Sequence, residues 1–236
     1  MSLDAGTARY AMTQITKFPY SHHMSCAQKT EDVSGSKQGP HTIMADEQTD
    51  TNLAHHPASD PYLRENTTFG NKIGRALWQL VYITLFRPSP RPMHGWRASL
   101  LRLFGAKIGR HPKIYSKARI WAPWNLECED LVAIADDVYI YNPAPVHLGS
   151  HSIVSEQAFL CGATHDYTDP AFPMVWAPIM IERYAWICAR ASVQMGVTVH
   201  EGAILGLGAI ATSDLEPWSI YVGIPARRVK TRPRFN

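Results

Sequence analysis

The chain is poor in several features that would mark common function classes. Its four cysteines, Cys26, Cys128, Cys161 and Cys188, show no C-x-x-C spacing and no framework pattern. Neither a structural zinc site nor a disulfide scaffold is indicated, and reduced thiols in a cytoplasmic protein are the expectation. No apolar run approaches the roughly 18 residues that a membrane-spanning helix needs. The first residues lack a basic stretch followed by an apolar core, which argues against a secretory signal. Dense Lys/Arg runs are missing and the formal net charge is only +3, so nucleic acid is not an expected partner. No G-x-S-x-G motif occurs, which speaks against a serine acyl-enzyme.

What is present divides into three stretches. Residues 1–68 hold five basic and eight acidic residues among many Ser, Thr, Gln and His. Without a sustained apolar period they cannot bury enough surface to offset chain entropy, and a disordered tail is expected. The pairs His22-His23 and His55-His56 read as solvated side chains rather than metal ligands. The remaining residues are mildly basic, which suits an anionic ligand. Residues 69–106 form the second stretch. Ile73, Ala76, Leu77, Leu80, Val81 and Leu85 follow a helical period and predict an amphipathic helix with that stripe facing the core. Arg87-Pro88-Ser89-Pro90-Arg91-Pro92 ends it, since proline offers no amide donor and restricts its predecessor. A second helix, Trp96 to Phe104, stops at Gly105. The pair reads as a cap over the next domain; its arginines beside apolar faces also allow weak peripheral membrane contact.

From Ile108 the period changes to six. Ile181, Ile187, Val193, Val199 and Leu205 keep it unbroken, and Ala185, Ala191, Val197, Ala203 and Ala209 follow each by four residues. Ile108, Ile114, Ile120, Leu126 and Val132 form another run, restarted at Ile134 and Ile140 and again at Leu148, Val154 and Leu160. The phase slips are expected at 132–134 and 140–148. Six residues make one short strand and a turn, and three such units close a triangular coil of about 18 residues whose aliphatic positions stack inward. The longest interruption, 161–180, contains Pro170, Pro173 and Pro178 and must project from the coil as a loop, where function tends to sit. The architecture expected is mainly β: a parallel β-helix over 107–236, a helical cap and a disordered tail.

The hexads, the loop Thr164-His165-Asp166-Tyr167-Thr168-Asp169-Pro170 and the ending Val222-Gly223-Ile224-Pro225-Ala226-Arg227 resemble the left-handed β-helix acyltransferases. Within them, Leu85-Phe86-Arg87-Pro88-Ser89-Pro90, Gly95-Trp96-Arg97 and Phe104-Gly105-Ala106 resemble the colanic-acid-type polysaccharide O-acetyltransferases. The resemblance spans roughly residues 70–232. It implies a homotrimer with acetyl-CoA as co-substrate, held in a groove between subunits. It implies that Ala189, Leu207 and Thr212 contact the pantetheine arm, and that Arg227 and Lys230 reach the nucleotide phosphates. Ser213 stands where relatives often carry lysine. Asn142 matches a position near the acceptor sugar, and Tyr167 is a residue that could stack on a sugar face.

Under that resemblance His165 is the expected general base. A sugar hydroxyl is a poor nucleophile, and an imidazole can take its proton during attack on a thioester. Asp166 and Asp169 are candidates to orient the ring; turn formation before Pro170 is the other reading of both. No metal is expected. Two other functions fit the fold: a zinc-dependent, carbonic-anhydrase-like β-helix using His147, His151 and His165, and a non-enzymatic scaffold or sugar-binding module.

Overall fold

The structure, a computed structural model, describes residues 69–235. The expected tail, with its two histidine pairs, lies outside the described residues.

Helix α1 (Phe69–Val81) runs into one π turn, Tyr82–Phe86, and helix α2 (His94–Leu103) follows the proline-rich link. The helix positions agree with the periodicity, but the buried face does not. Trp78, Tyr82 and Phe86 point inward, whereas Ile73, Leu77, Leu80 and Leu85 are exposed. The inward face is an aromatic i, i+4, i+8 ladder. Trp78 packs edge-on against Phe86 and its indole nitrogen donates to the Ile120 carbonyl at 2.7 Å. Large rings bury more surface than aliphatic side chains and fill the wide gap between a helix and a sheet edge. They therefore win the core over the longer aliphatic stripe.

Arg97 on α2 is fully buried. Its guanidinium donates to the carbonyls of Ile114, Pro90 and Arg91 and to the Ser89 hydroxyl, at 2.6 to 2.9 Å. Burial pulls its pKa below the usual arginine value. One cation thereby ties the Arg87–Pro92 link, α2 and the first coil together.

The strands then wind in coils. The first coil holds β1 (Lys107–Ile108), β2 (Lys113–Ile114) and β3 (Arg119–Ile120). The second holds β4 (Leu126–Cys128), β5 (Ala133–Ile134) and β6 (Tyr139–Tyr141), and the third β7 (Val146–Leu148), β8 (Ile153–Val154) and β9 (Phe159–Cys161). A hairpin, β10 (Ala163–His165) and β11 (Met174–Trp176), interrupts the winding. The fourth coil is β12 (Ile179–Ile181), β13 (Trp186–Ile187) and β14 (Ser192–Gln194), and the fifth β15 (Thr198–Val199), β16 (Ile204–Leu205) and β17 (Ile210–Ala211). Strand β18 (Ser219–Val222) begins a sixth, and β19 (Arg227–Thr231) folds back antiparallel on it. Each coil contributes one strand to each of three parallel faces, β1-β4-β7-β12-β15, β2-β5-β8-β13-β16-β18 and β3-β6-β9-β14-β17.

Three columns of inward side chains form the core. Ile114, Ile134, Val154, Ile187 and Leu205 stack on the second face, all fully buried. Burial of one such side chain contributes about 1.5–3 kcal/mol. The second phase slip falls where expected, at Asn142–Pro145. The first does not. Ile108 pairs with Cys128 rather than Leu126, so the extra residues sit in the corner Trp121–Asn125, where a short 3-10 turn, Pro123–Asn125, bulges outward. Leu126, Cys128 and Val132 are all buried, so apolar pattern alone fits either placement. Ala185, Ala191, Ala203 and Ala209 are fully buried at the corners. Each turn also needs a residue in the left-handed region, at Tyr184, Arg190, Gly196, Gly202 and Gly208 in succession.

Candidate active site

The hairpin leaves the stack at the corner between the third and first faces. Its root is Gly162, whose amide donates to the Tyr141 carbonyl at 2.7 Å. A Cβ there would lie 2.7 Å from the same oxygen, so only glycine lets the chain leave at this angle. The hairpin pairs Ala163 with Trp176, Thr164 with Val175 and His165 with Met174.

His165 is exposed at the end of β10. Its Nδ1 lies 2.6 Å from the carbonyl oxygen of Phe172. A carbonyl only accepts, so Nδ1 carries the proton and donates it. The neutral ring then keeps its lone pair on Nε2, the form a general base needs. Phe172 itself sits at φ +44°, a conformation that L-residues rarely adopt, with its amide donating to the Asp169 carbonyl.

The aspartates do other work. Asp166 Oδ1 accepts from the amide and the hydroxyl of Thr168, at 2.9 and 2.6 Å, and Asp169 Oδ1 accepts from the Ala171 amide at 2.8 Å. Both are side-chain-closed turns. The Thr168 hydroxyl and amide hold the Asp166 carboxyl below its usual value. Ring orientation by either carboxylate is thus replaced, in this geometry, by a backbone carbonyl. That partner has no side-chain signature and could not be read from sequence.

Asn142, expected near the acceptor, is fully buried. Its carboxamide accepts from the Ala122 amide at 2.9 Å and donates to the Ala122 carbonyl at 2.8 Å. The side chain holds the widened corner of the coil below and does not face the surface. Tyr167 is highly exposed at the hairpin tip.

Cys161 lies between the coil and the hairpin. Burial pushes its thiol up, and Sγ donates to the Ala163 carbonyl at 3.3 Å. A nucleophilic cysteine needs the opposite, a thiolate favoured by neighbouring cations.

The residues assigned to the donor occupy the upper coils. Ala189 and Leu207 share the corner between the second and third faces one coil apart, and the Ala189 carbonyl accepts from the Gly208 amide at 3.0 Å. Leu207 is exposed, and Val222 to Pro225 continue this corner through contacts of Gly206 and Ile210 with Tyr221 and Gly223. Thr212 follows Ala211, the end of β17, which pairs with Val193 and through it with Leu160 on the third face, two strand spacings of roughly 4.8 Å above β9. Arg227 and Lys230 are exposed on β19, while Arg228 pairs with Glu216 at 3.3 Å.

The three histidines weighed as zinc ligands are separated. His147 pairs with Glu129 at 3.5 Å, His151 stacks on Tyr184 with ring centroids 4.8 Å apart, and His165 is on the hairpin. No group of three metal-binding side chains occurs among the described residues. No helix among them is long and apolar enough to cross a membrane.

An aromatic strip escaped the sequence reading. Trp121 meets Tyr141 edge-on at 5.4 Å, and the Tyr141 hydroxyl reaches Met174 Sδ at 3.5 Å. Trp121 and Tyr141 are one coil apart, a spacing visible only once the coil is known to hold twenty residues here.

No family model matches the chain. A colanic acid biosynthesis acetyltransferase assignment, WcaF of Escherichia coli, belongs to a protein 35% identical over 163 residues, covering 69% of this chain and 90% of the relative. Among solved structures, a hexapeptide-repeat acetyltransferase of Vibrio cholerae complexed with acetyl coenzyme A superposes with a TM-score of 0.66 at 19% identity. That match covers 72% of this chain and 93% of the other. A maltose O-acetyltransferase of Clostridium difficile gives a TM-score of 0.65 at 18% identity, over 71% and 90% of the two chains.

Proposed function

Because the chain belongs to the WcaF-type hexapeptide-repeat acetyltransferases, we propose that it moves an acetyl group from acetyl-CoA to a sugar hydroxyl, with His165 as general base. The observation that carries this reading is the 2.6 Å contact from His165 Nδ1 to the Phe172 carbonyl. It leaves the basic nitrogen on an exposed, projecting hairpin.

The step is a direct transfer. The acceptor hydroxyl gives its proton to Nε2 of His165 as its oxygen attacks the thioester carbonyl. The new C–O bond forms, the C–S bond breaks, and the CoA thiolate leaves and takes the proton back from the imidazolium. Backbone amides stabilise the tetrahedral oxyanion. The raised thiol of Cys161 supports a route without an acyl-enzyme.

Acetyl-CoA fits the upper coils. The Ala189–Leu207 corner and Thr212 supply a surface for the pantetheine arm. Arg227 and Lys230 supply cations for phosphates through charge-assisted hydrogen bonds. The working unit is a homotrimer in which the hairpin of one subunit reaches the donor groove of the next. The reaction belongs to polysaccharide biosynthesis in the cytoplasm, where acetyl-CoA is made. The outward Ile73, Leu77 and Leu80, beside the exposed Arg87 and Arg102, support weak peripheral contact with a membrane that carries the acceptor.

His165→Ala should lower kcat by about 10²- to 10⁴-fold, the usual contribution of a general base, with the KM for acetyl-CoA little changed. A variant that keeps its circular dichroism spectrum and more than about a tenth of wild-type kcat removes His165 from the role.

A further inference from the structure

Charge is divided unequally along the axis of the coils. Residues 69–126, the two helices and the first coil, hold eleven Lys and Arg and no Asp or Glu. Residues 127–236 hold seven Lys and Arg against twelve Asp and Glu. The helical end therefore presents a field of one sign, and the stack above it is acidic.

The fold itself uses part of this charge. Arg97 is buried on backbone carbonyls. Arg75 and Arg119 stack on Trp121 and Tyr139 in a groove of about 330 Å³ between α1 and the third face. Arg91, Lys107 and Arg110 pair with Asp136, Glu127 and Asp130 of the second coil. Arg87, Arg102, Lys113 and Lys117 are exposed and pair with no carboxylate among the described residues.

At the same end lies an apolar face that the core does not use. With Trp78, Tyr82 and Phe86 turned inward, the helical period sends Ile73, Leu77 and Leu80 to the opposite side of α1, where they are exposed. The π turn extends the row to Ile83 and Leu85, also exposed. Trp96 of α2 borders it: its indole nitrogen donates to the Leu85 carbonyl at 3.1 Å, and the residue stays exposed. An apolar patch of this kind marks an interaction surface, and its rim decides the partner. A protein partner would meet cations without the interspersed carboxylates of an ordinary protein surface. A small soluble anion would leave the leucines uncovered. Aliphatic side chains edged by an indole and ringed by cations fit the interface of a bilayer with negative headgroups. Acyl chains cover the former and headgroups neutralise the latter.

We propose that α1, the π turn and α2 form a foot that seats the protein on an anionic lipid surface, with the coils standing away from it. The foot rests on the reading above for its purpose, bringing the hairpin to a membrane that carries the acceptor, and adds the lipid charge and the residues that meet it. No helix among the described residues is long and apolar enough to cross a bilayer, so the seat is peripheral. The hairpin leaves the stack two strand spacings of roughly 4.8 Å above the first coil, which keeps His165 clear of the headgroups.

Co-sedimentation of the full chain with vesicles, without acetyl-CoA or acceptor, tests the foot. One vesicle is phosphatidylcholine alone; the other is phosphatidylcholine and phosphatidylglycerol in equal parts. Binding to the mixed vesicle should be about tenfold or more tighter, and should weaken as salt rises. Leu77→Gln/Leu80→Gln should lower it by about tenfold or more, and Arg87→Glu by about fivefold or more. Each variant should keep its melting temperature, because all three side chains are exposed. Equal binding to both vesicles, or undiminished binding of the leucine variant, overturns the foot. So does a leucine variant that loses self-association in sedimentation while the wild type binds no vesicle, since the face then belongs to a second copy of the chain. Turnover of a soluble sugar acceptor separates this proposal from the transferase reading. Charge-dependent vesicle binding with no acetylation keeps the foot and counts against the transferase. Acetylation with no charge-dependent vesicle binding does the reverse.

Discussion

At the scale of single residues, the hydrogen-bond partners divide the polar side chains into those that make shape and those left to make chemistry. Asp166 and Asp169 close turns, so Asp166→Asn and Asp169→Asn should each change kcat by less than about tenfold, well short of the loss of a base. Neither should displace the acid limb of the rate profile, because the ring partner is the Phe172 carbonyl. Steady-state kinetics across pH checks this, and a displaced acid limb in either variant would restore a carboxylate to the orienting role. Asp166 has its own pH signature. Its carboxyl is held below 3.8 by Thr168, so it stabilises the fold at pH values above 3.8. That contribution is lost as pH falls through the lower value it has in the folded chain. In the wild type the hairpin should loosen in strong acid, and Asp166→Asn, which cannot titrate, should lose that acid step, as followed by Trp176 fluorescence. Arg97 is the reverse case, a buried cation with no part in the proposed chemistry. Arg97→Ala removes the guanidinium from the buried Ile114 carbonyl and from the part-buried carbonyls of Pro90 and Arg91. A loss of about 1–3 kcal/mol in urea unfolding is expected, and Arg97→Lys cannot replace a fork of this shape.

At the scale of elements, periodicity was legible and facing was not. The hexads from Ile181 to Leu205 predicted their coils, strand by strand, because each inward position is aliphatic and each corner is small. The slip near Cys128 was hidden because Leu126, Cys128 and Val132 are all buried. For α1 the helix was legible but its orientation was not, since both the aliphatic stripe and the Trp78–Tyr82–Phe86 ladder have helical spacing. The consequence is measurable. Leu77→Gln and Leu80→Gln should each change stability by less than about 0.5 kcal/mol, while Trp78→Ala should lower it by about 3–5 kcal/mol. Losses of that larger size at Leu77 would mean a covered face. The candidate site was legible in part for the same reason. His165 stood out as a loop histidine, but its backbone partner, the glycine at the hairpin root and the aromatic strip depend on which residues the coils bring side by side. Gly162→Ala should therefore reduce kcat far more than a surface substitution does, because the hairpin must shift to clear the Tyr141 carbonyl.

At the scale of the whole molecule, the three faces are built from contacts between neighbouring coils. The helices cover one end, and β19 folds over β18 at the other. Gly202 belongs to that far end: it has φ +68° and a Cβ would meet the Trp218 ring at 2.5 Å, so the last coil sits directly on the one below it. Such a stack has no single long-range nucleus. Its stability is close to a sum over adjacent layers, and it comes apart as a column does, from whichever end has the weaker last contact. Amide exchange should then be graded along the axis, slowest in β5, β8 and β13 and fastest toward β17 and β19. Gly202→Ala should speed exchange in the strands above it while leaving β2 and β5 near their original rates. The residues proposed to hold the donor and the histidine of the hairpin would in that case lie on layers of unequal lifetime. Mild heating would open the upper coils while the groove beside α1 still held its shape.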